Sequence, residues 1–332
     1  MTLDPSRPAN ALYRCVEIAR PFLPSQSHLD PTGTRVVRND FRASIDETKK
    51  CSPGLLIKHE KLDLRICLWS SQSLLLHEET IPDRIAELKD SLLHDGVVKD
   101  PVVVDADSSV VLDGMHRVAA LRELRCLRMP VCAVDYLNPS ITVGVWYRTF
   151  SGPVSPAQLE AAFASSDINM VRFSADMTSI EKSRSPAMIF ASGECFRLDS
   201  ERLRAYEVVK VAEHCARDLH LAVGFETEHD AVDRLMNRKA DAIMTLPRID
   251  KATVREAGLS GRLLPHKATR HVIPARPLGV NTPLGTLIDD TLLLLKANQM
   301  FVADLQLRGI VRNPSGTVIE GRRYEEETFI FN

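Results

Sequence analysis

The chain lacks a large surplus of charge of either sign. Its 332 residues carry 42 Lys and Arg against 44 Asp and Glu, a formal net charge of -2 with a pI of about 6.6. A dedicated nucleic-acid binder usually has a large basic excess, so the balance argues against that class while leaving room for a local basic patch. The seven cysteines (Cys15, Cys51, Cys67, Cys126, Cys132, Cys195, Cys215) are odd in number and include no C-x-x-C pair. They read as small buried hydrophobes in a reducing compartment, not as a disulfide framework or a zinc site. No apolar run approaches the length of a bilayer span, and the first residues lack the apolar core of a secretory signal. Internal repeats, low-complexity stretches and a Walker A loop are also missing. These absences lead to the expectation of a soluble cytoplasmic protein without a membrane partner, long enough for two compact domains.

What is present divides the chain unevenly. Residues 1–61 read as an extension, with one amphipathic helix over Asn10–Arg20 broken by Pro21 and Pro24. From 62 to 150 the pattern is that of one α+β domain. Leu62–Leu68 alternates as a strand, and a helix starts at Thr80-Ile-Pro-Asp83 and stops at Asp95-Gly96. Pro101–Asp105 and Val110–Leu112 form a strand pair, a helix follows over Arg117–Leu124, and Met129–Tyr136 is another strand. A smaller α/β domain is expected over 151–290. It has a helix at Ser155–Ala164, a hairpin across Ser192-Gly193, a long helix capped by Ser200, and strands at Leu221–Phe225 and Asp241–Thr245 around a 228–239 helix. A terminal segment of helix and tail, 291–332, takes in most of a last helix over 284–306 and a hairpin near Asn313-Pro-Ser-Gly316.

Three clusters carry chemistry. Val111-Leu-Asp-Gly-Met-His-Arg117 runs from a strand through a glycine turn into a helix. It offers free helix N–H groups beside His116 and Arg117, a natural cradle for phosphate oxygens. Gly114 allows close approach of a ligand, the Arg117 fork matches phosphate geometry, and Asp113 suits Mg²⁺ or a hydroxyl. The structural alternative is a tight turn with Asp113 as helix cap and Arg117 solvated. Glu78, in a loop between strand and helix, suits a base in phosphoryl transfer; it also suits a carboxylate favoured by a helix N-terminus. The third cluster is Lys267 with Thr269-Arg270-His271, which fits either a solvated basic loop or a site for a substrate carboxylate or phosphate. Trp146 fits a domain interface or the wall of a small polar ligand.

Taken together and in order, Leu76-His-Glu-Glu79, Glu87-Leu-Lys-Asp-Ser91, Lys99-Asp-Pro101, Leu112-Asp-Gly-Met-His-Arg117, Met129-Pro-Val131 and Asp135-Tyr136 resemble the ParB/sulfiredoxin-like domain. Val145-Trp-Tyr147 and Lys267-Ala-Thr-Arg-His-Val-Ile-Pro274 narrow the likeness to the free L-serine kinase branch, archaeal and siderophore-associated, over about residues 62–290. The resemblance implies an α+β fold: a ParB/sulfiredoxin-like N-terminal domain, a smaller α/β domain, and the active site in the cleft between them. It implies a kinase that makes O-phospho-L-serine from free L-serine, with Mg²⁺ and with ATP or ADP as donor. Glu78 would be the general base and Asp113 the acidic residue at the reaction centre. Gly114, Met115, His116 and Arg117 would form the phosphate turn, with Ser91 on the neighbouring helix beside it. Trp146, Lys267, Thr269, Arg270 and His271 would lie on the serine side. Met115 departs from the archaeal pattern, which has histidine there, but the siderophore-type enzymes also carry an apolar residue. A ParB-like regulatory or DNA-associated protein is the alternative; it lacks support from a helix-turn-helix or a basic face. Repair of oxidised cysteine in the manner of sulfiredoxin ranks below it, since that chemistry needs a cysteine where Met115 stands.

Overall fold

The computed structural model describes residues 54–174 and 183–332. The helix expected over Asn10–Arg20, and all but the end of the expected extension, lie outside the described residues.

The first sheet is built from β1 (Leu55–Ile57), β2 (Leu64–Ser70), β4 (Val102–Asp105), β5 (Val111–Asp113) and β6 (Arg128–Val134), with β3 (Val97–Val98) outside it. Its order is β1-β2-β6-β4-β5, and only the β4–β6 pair is parallel. Every residue of β6 is buried, as expected of a central strand covered on both faces. Helix α1 (Pro82–Asp95) has proline in its first turn and ends on left-handed Gly96, whose N–H bonds the Leu92 carbonyl. Helix α2 spans Met115–Glu123, starting two residues before the expected Arg117.

A second, wholly antiparallel sheet follows. Its strands are β8 (Tyr147–Ser151), β9 (Asn169–Arg172), β10 (Ala187–Phe190), β11 (Cys195–Asp199), β12 (Ala222–Glu226) and β13 (Ala242–Thr245), in the order β12-β8-β13-β10-β11-β9. Its helices are α3 (Pro156–Ala164), α4 (Ala205–Asp218) and α5 (Glu228–Met236). Ser155 caps α3 in a capping box with Gln158. Ser200 does not cap α4: its hydroxyl accepts from the N–H groups of Arg202 and Leu203, closing a turn ahead of the helix. The α4 start is held instead by Glu207, which accepts from the Arg204 N–H.

The chain then returns to the first unit through α6 (Lys251–Ser260), β14 (Arg270–Val272) and β15 (Ala275–Leu278). Strand β14 pairs with β7 (Thr142–Gly144), in the stretch that joins the two sheets. The helix expected over 284–306 is broken into α7 (Leu284–Ile288) and α8 (Leu294–Leu307). Buried Arg128 accounts for the break, since its guanidinium donates hydrogen bonds to the carbonyls of Thr286, Asp289 and Leu292. The hairpin expected around Asn313-Pro-Ser-Gly316 turns later instead: Val318–Ile319 pairs with Arg322–Arg323 across Glu320-Gly321, inside a wider antiparallel pair of Ile310–Asn313 with Glu327–Phe331. Buried Asn298 of α8 accepts from the Leu68 N–H, fixing the C-terminal segment to β2.

Two hydrophobic cores result among the described residues. One joins Leu55–Ile141 with Ile249–Phe331; the other runs from Val145 to Leu246. The second unit is thus an insertion between two parts of the first, so the packing divides the chain near 145 and 247, not at 150 and 290. Sequence patterns cannot show this, because nothing local marks a segment that packs against strands 200 residues away.

Candidate active site

The turn after β5 is shaped by glycine. Gly114 has φ +96°, and a Cβ there would sit 2.7 Å from Val102 Cγ1, so both conformation and space exclude a side chain. Gly114 is also the cap residue of α2 and gives it no side-chain cap. Asp113 is therefore not the helix cap. The first N–H groups of α2 point out of the turn with no capping side chain on them, the arrangement that attracts anions.

Asp113 instead faces Arg276, with Oδ2 accepting from Nη1 at 2.8 Å. Loss of hydration pushes the Asp113 carboxyl up, but Arg276 and Arg117 outweigh it and hold the pKa at about 2. Arg276 is itself paired with Glu326. Arg117 donates through Nη1 to the carbonyls of Asp100 and Pro101, both at 3.0 Å, which anchors one edge of its fork. His116 Nε2 accepts from the Ile81 N–H at 3.0 Å and is lowered in pKa, chiefly by burial. An Nε2 that accepts leaves the proton on Nδ1. This bond also ties the turn to the loop that carries Glu78.

Glu78 is 3% exposed. Its loop runs beside Leu264, whose carbonyl accepts from Glu79 N–H at 2.8 Å. Oε1 accepts from the Thr269 N–H at 2.6 Å and hydroxyl at 2.5 Å, and Oε2 from the Lys267 N–H at 3.0 Å. Burial raises the pKa of this carboxyl, outweighing the three donors and the nearby Arg148 charge. Lys267 has φ +58°, the backbone turn that brings its N–H onto Oε2. Its ammonium lies 4.0 Å from the centre of the Trp146 ring. Burial lowers the Lys267 pKa, with Glu78 and Asp113 both pulling it back up.

The structure thus gathers Glu78, Asp113, Gly114, His116, Trp146, Lys267 and Thr269, and leaves others aside. Met115 packs on the first core. Arg270 is paired with Glu228 and Glu325. His271 is held between Tyr136, whose hydroxyl is 2.8 Å from Nε2, and the Leu112 carbonyl; burial lowers its pKa to about 3. Its ring is partly buried and both of its nitrogens are engaged, so it stands in the site as a neutral imidazole. Ser91 is exposed on α1, roughly 14 Å along the helix from Pro82.

Two arginines that hold the site were not read from the sequence. Arg148, fully buried, donates to the carbonyls of Trp146, His266 and Lys267 and to Glu213 Oε1 at 2.6 Å. Its signal was present: a lone charge in the apolar run Val145-Trp-Tyr-Arg-Thr-Phe150 is costly unless it is paired. Arg276 gave no such signal.

No protein-family profile matches the chain. The ATP-dependent L-serine kinase of Staphylothermus marinus is 26% identical over 221 residues, covering 64% of this chain and 88% of that protein. The ADP-dependent L-serine kinase of Thermococcus kodakarensis is 22% identical over 218 residues, covering 64% and 88%. Among solved structures, a free serine kinase with a glutamate-to-glutamine substitution, in complex with AMP, superposes with a TM-score of 0.60 at 18% identity. It covers 67% of this chain and 93% of that one. The chain therefore has the mixed α/β fold of the free serine kinases and, in sequence, is a relative of the L-serine kinases.

Proposed function

We propose that the protein phosphorylates the hydroxyl of free L-serine to O-phospho-L-serine, with a nucleotide as donor. The observation that carries this reading is the pairing, in one site, of a buried carboxylate of raised pKa with an uncapped helix N-terminus. A serine hydroxyl is a weak nucleophile and needs a base as the O–P bond forms. In Glu78, Oε1 is filled by its two Thr269 donors, while Oε2 meets only the Lys267 N–H and keeps a lone pair for the serine proton. The solved relative in which a glutamate was replaced supports a glutamate in this role.

The moving phosphoryl group is stabilised by the α2 N–H groups, the outer edge of the Arg117 fork and the Lys267 ammonium. His116 Nδ1–H adds a donor at the turn. Lys267 and Trp146 are the direct contacts on the serine side; Thr269 and His271 act from behind Glu78. Arg270 would reach serine by leaving Glu228 or Glu325, and Ser91 would reach only a distal part of the nucleotide. The site would then lie between the two units, with Glu78 and Asp113 on one and Trp146 and Arg148 on the other.

Among the described residues no group of three His, Cys, Asp or Glu could hold a metal. Asp113 keeps Oδ1 clear of Arg276, which suits a Mg²⁺ carried mainly by nucleotide phosphates, as is usual for that ion. Bound there, Mg²⁺ would neutralise phosphate charge. No helix among the described residues is long and apolar enough to cross a membrane.

The test is ³¹P NMR of the protein with Mg²⁺, L-serine and either ATP or ADP. A phosphoserine resonance rising as one donor is consumed is the expected result and identifies the donor. No product with either nucleotide would overturn the reading.

A further inference from the structure

Glu78, Thr269 and His77 form a hydrogen-bonded chain whose protons can be counted. His77 is fully buried, with Nδ1 2.7 Å from the Val111 carbonyl oxygen. A carbonyl offers only lone pairs, so Nδ1 carries the ring proton. Burial keeps the imidazole neutral, its pKa lowered to about 4, and Nε2 is left as an acceptor. That nitrogen lies 2.9 Å from the Thr269 hydroxyl, which also lies 2.5 Å from Glu78 Oε1. One hydroxyl hydrogen faces two acceptors.

With Glu78 ionised, charge assistance sends the hydrogen to the carboxylate and leaves a buried imidazole nitrogen unsatisfied. Once Glu78 is protonated the advantage of Oε1 is gone, and His77 is the better acceptor. We propose that the Thr269 hydroxyl is a two-position donor, directed to Glu78 when that side chain is ionised and to His77 when it is protonated, so that His77 sets how readily Glu78 takes up a proton. His77 is thus a positioning residue of the base, acting through Thr269.

This rests on the kinase reading and deepens it. The proton lost by serine is the one gained at Glu78 Oε2; Thr269 only turns its hydroxyl and gives up no proton. The other groups facing Glu78 are Arg148 from β8, Lys267 from the 265–269 loop and Tyr206 from α4. Tyr206 is committed to the Pro247 carbonyl, and Arg148 to Glu213 and three carbonyls. His271 meets His77 edge-on at 5.3 Å, and its Nε2 is taken by Tyr136.

Two measurements test the switch. The first is kcat/KM for serine against pH, whose acid limb reports Glu78 in the free enzyme. His77→Asn keeps a donor for Val111 but has no acceptor at the Nε2 position, whereas His77→Gln restores one. Losing a bond that favours protonated Glu78 lowers its pKa, so the acid limb of His77→Asn should move down by roughly one pH unit. His77→Gln should return it, and in a Thr269→Val background His77→Asn should have no effect. The second is ¹⁵N NMR of histidine-labelled protein. The His77 Nε2 signal should change from a free to a hydrogen-bonded acceptor as pH falls through the same range, and should stay fixed in Thr269→Val. The proposal is overturned if His77→Asn shares the wild-type acid limb, if His77→Gln behaves as His77→Asn, or if the nitrogen signal ignores pH. Should His77→Asn not fold, the nitrogen titration of wild type against Thr269→Val decides alone. That signal needs no turnover, so a protein that shows it without phosphorylating serine refutes the kinase reading and not the switch.

Discussion

Glu78 and Asp113 are the same kind of group on two sides of one small site, and the chain treats them in opposite ways. Glu78 is surrounded by backbone: its oxygens meet the N–H groups of Lys267 and Thr269 and a hydroxyl, and burial raises its pKa. Asp113 meets Arg276 directly, and that charge with Arg117 brings it down to about 2 against the loss of hydration. Each carboxylate has an arginine nearby, but Arg148 spends its donors on Glu213 and on the loop that holds Glu78. Whether the arginine is a partner or a scaffold decides which carboxylate accepts protons and which stays a fixed anion.

The largest effect should come from removing the proton acceptor. Glu78→Gln is expected to lower kcat by about 10³-fold. Nucleotide affinity should stay near wild type, because the Gly114–Arg117 turn is untouched. Steady-state rates with a calorimetric nucleotide titration check both halves. A variant that keeps a near-normal rate would end the contrast by removing Glu78 from its role.

The two carboxylates also differ in how far the sequence revealed them. The Asp113 turn was legible because its parts are adjacent: strand, glycine and basic residues follow one another within seven positions. Its partner Arg276, 163 residues later, was not, since a lone arginine before a proline in a strand has no local signature. Glu78 carries a structural alternative in the sequence, and the loop whose N–H groups hold it lies 189 residues away, while burial raises its pKa against those donors. For the same reason the sequence does not show that the Thr269 hydroxyl binds Glu78 or that His271 Nε2 meets the Tyr136 hydroxyl. Elements with their own caps, α1 and α3 above all, were found nearly to the residue. The expected last helix failed because Arg128 pulls three of its carbonyls away.

The next largest effect sharpens the scaffold half of the comparison. Arg148→Met leaves Glu213 buried with a poorer partner and three carbonyls without their donor, and should cost about 3–5 kcal/mol of stability in urea unfolding. It also removes a positive charge that favours ionised Glu78. The Glu78 pKa should therefore rise and the acid limb of kcat/KM move to higher pH, opposite to the shift expected for His77→Asn. An acid limb that stays in place would mean that Arg148 only supports the fold.

The smallest effect tests the partner half. Arg276→Gln removes the cation between Asp113 and Glu326, and with Asp113 about two-fifths exposed the cost should be about 2 kcal/mol, below that of a fully buried pair. Its sign with pH is fixed by the depressed carboxyl. Asp113 stabilises the fold fully above its ordinary pKa of 3.8, and that contribution is lost as pH falls toward about 2. Wild type should therefore lose stability faster than Arg276→Gln between pH 4 and pH 2, and the two unfolding curves should converge at the acid end. Parallel curves would show that Arg276 holds Asp113 in place without setting its charge, and the contrast with Glu78 would then rest on burial alone.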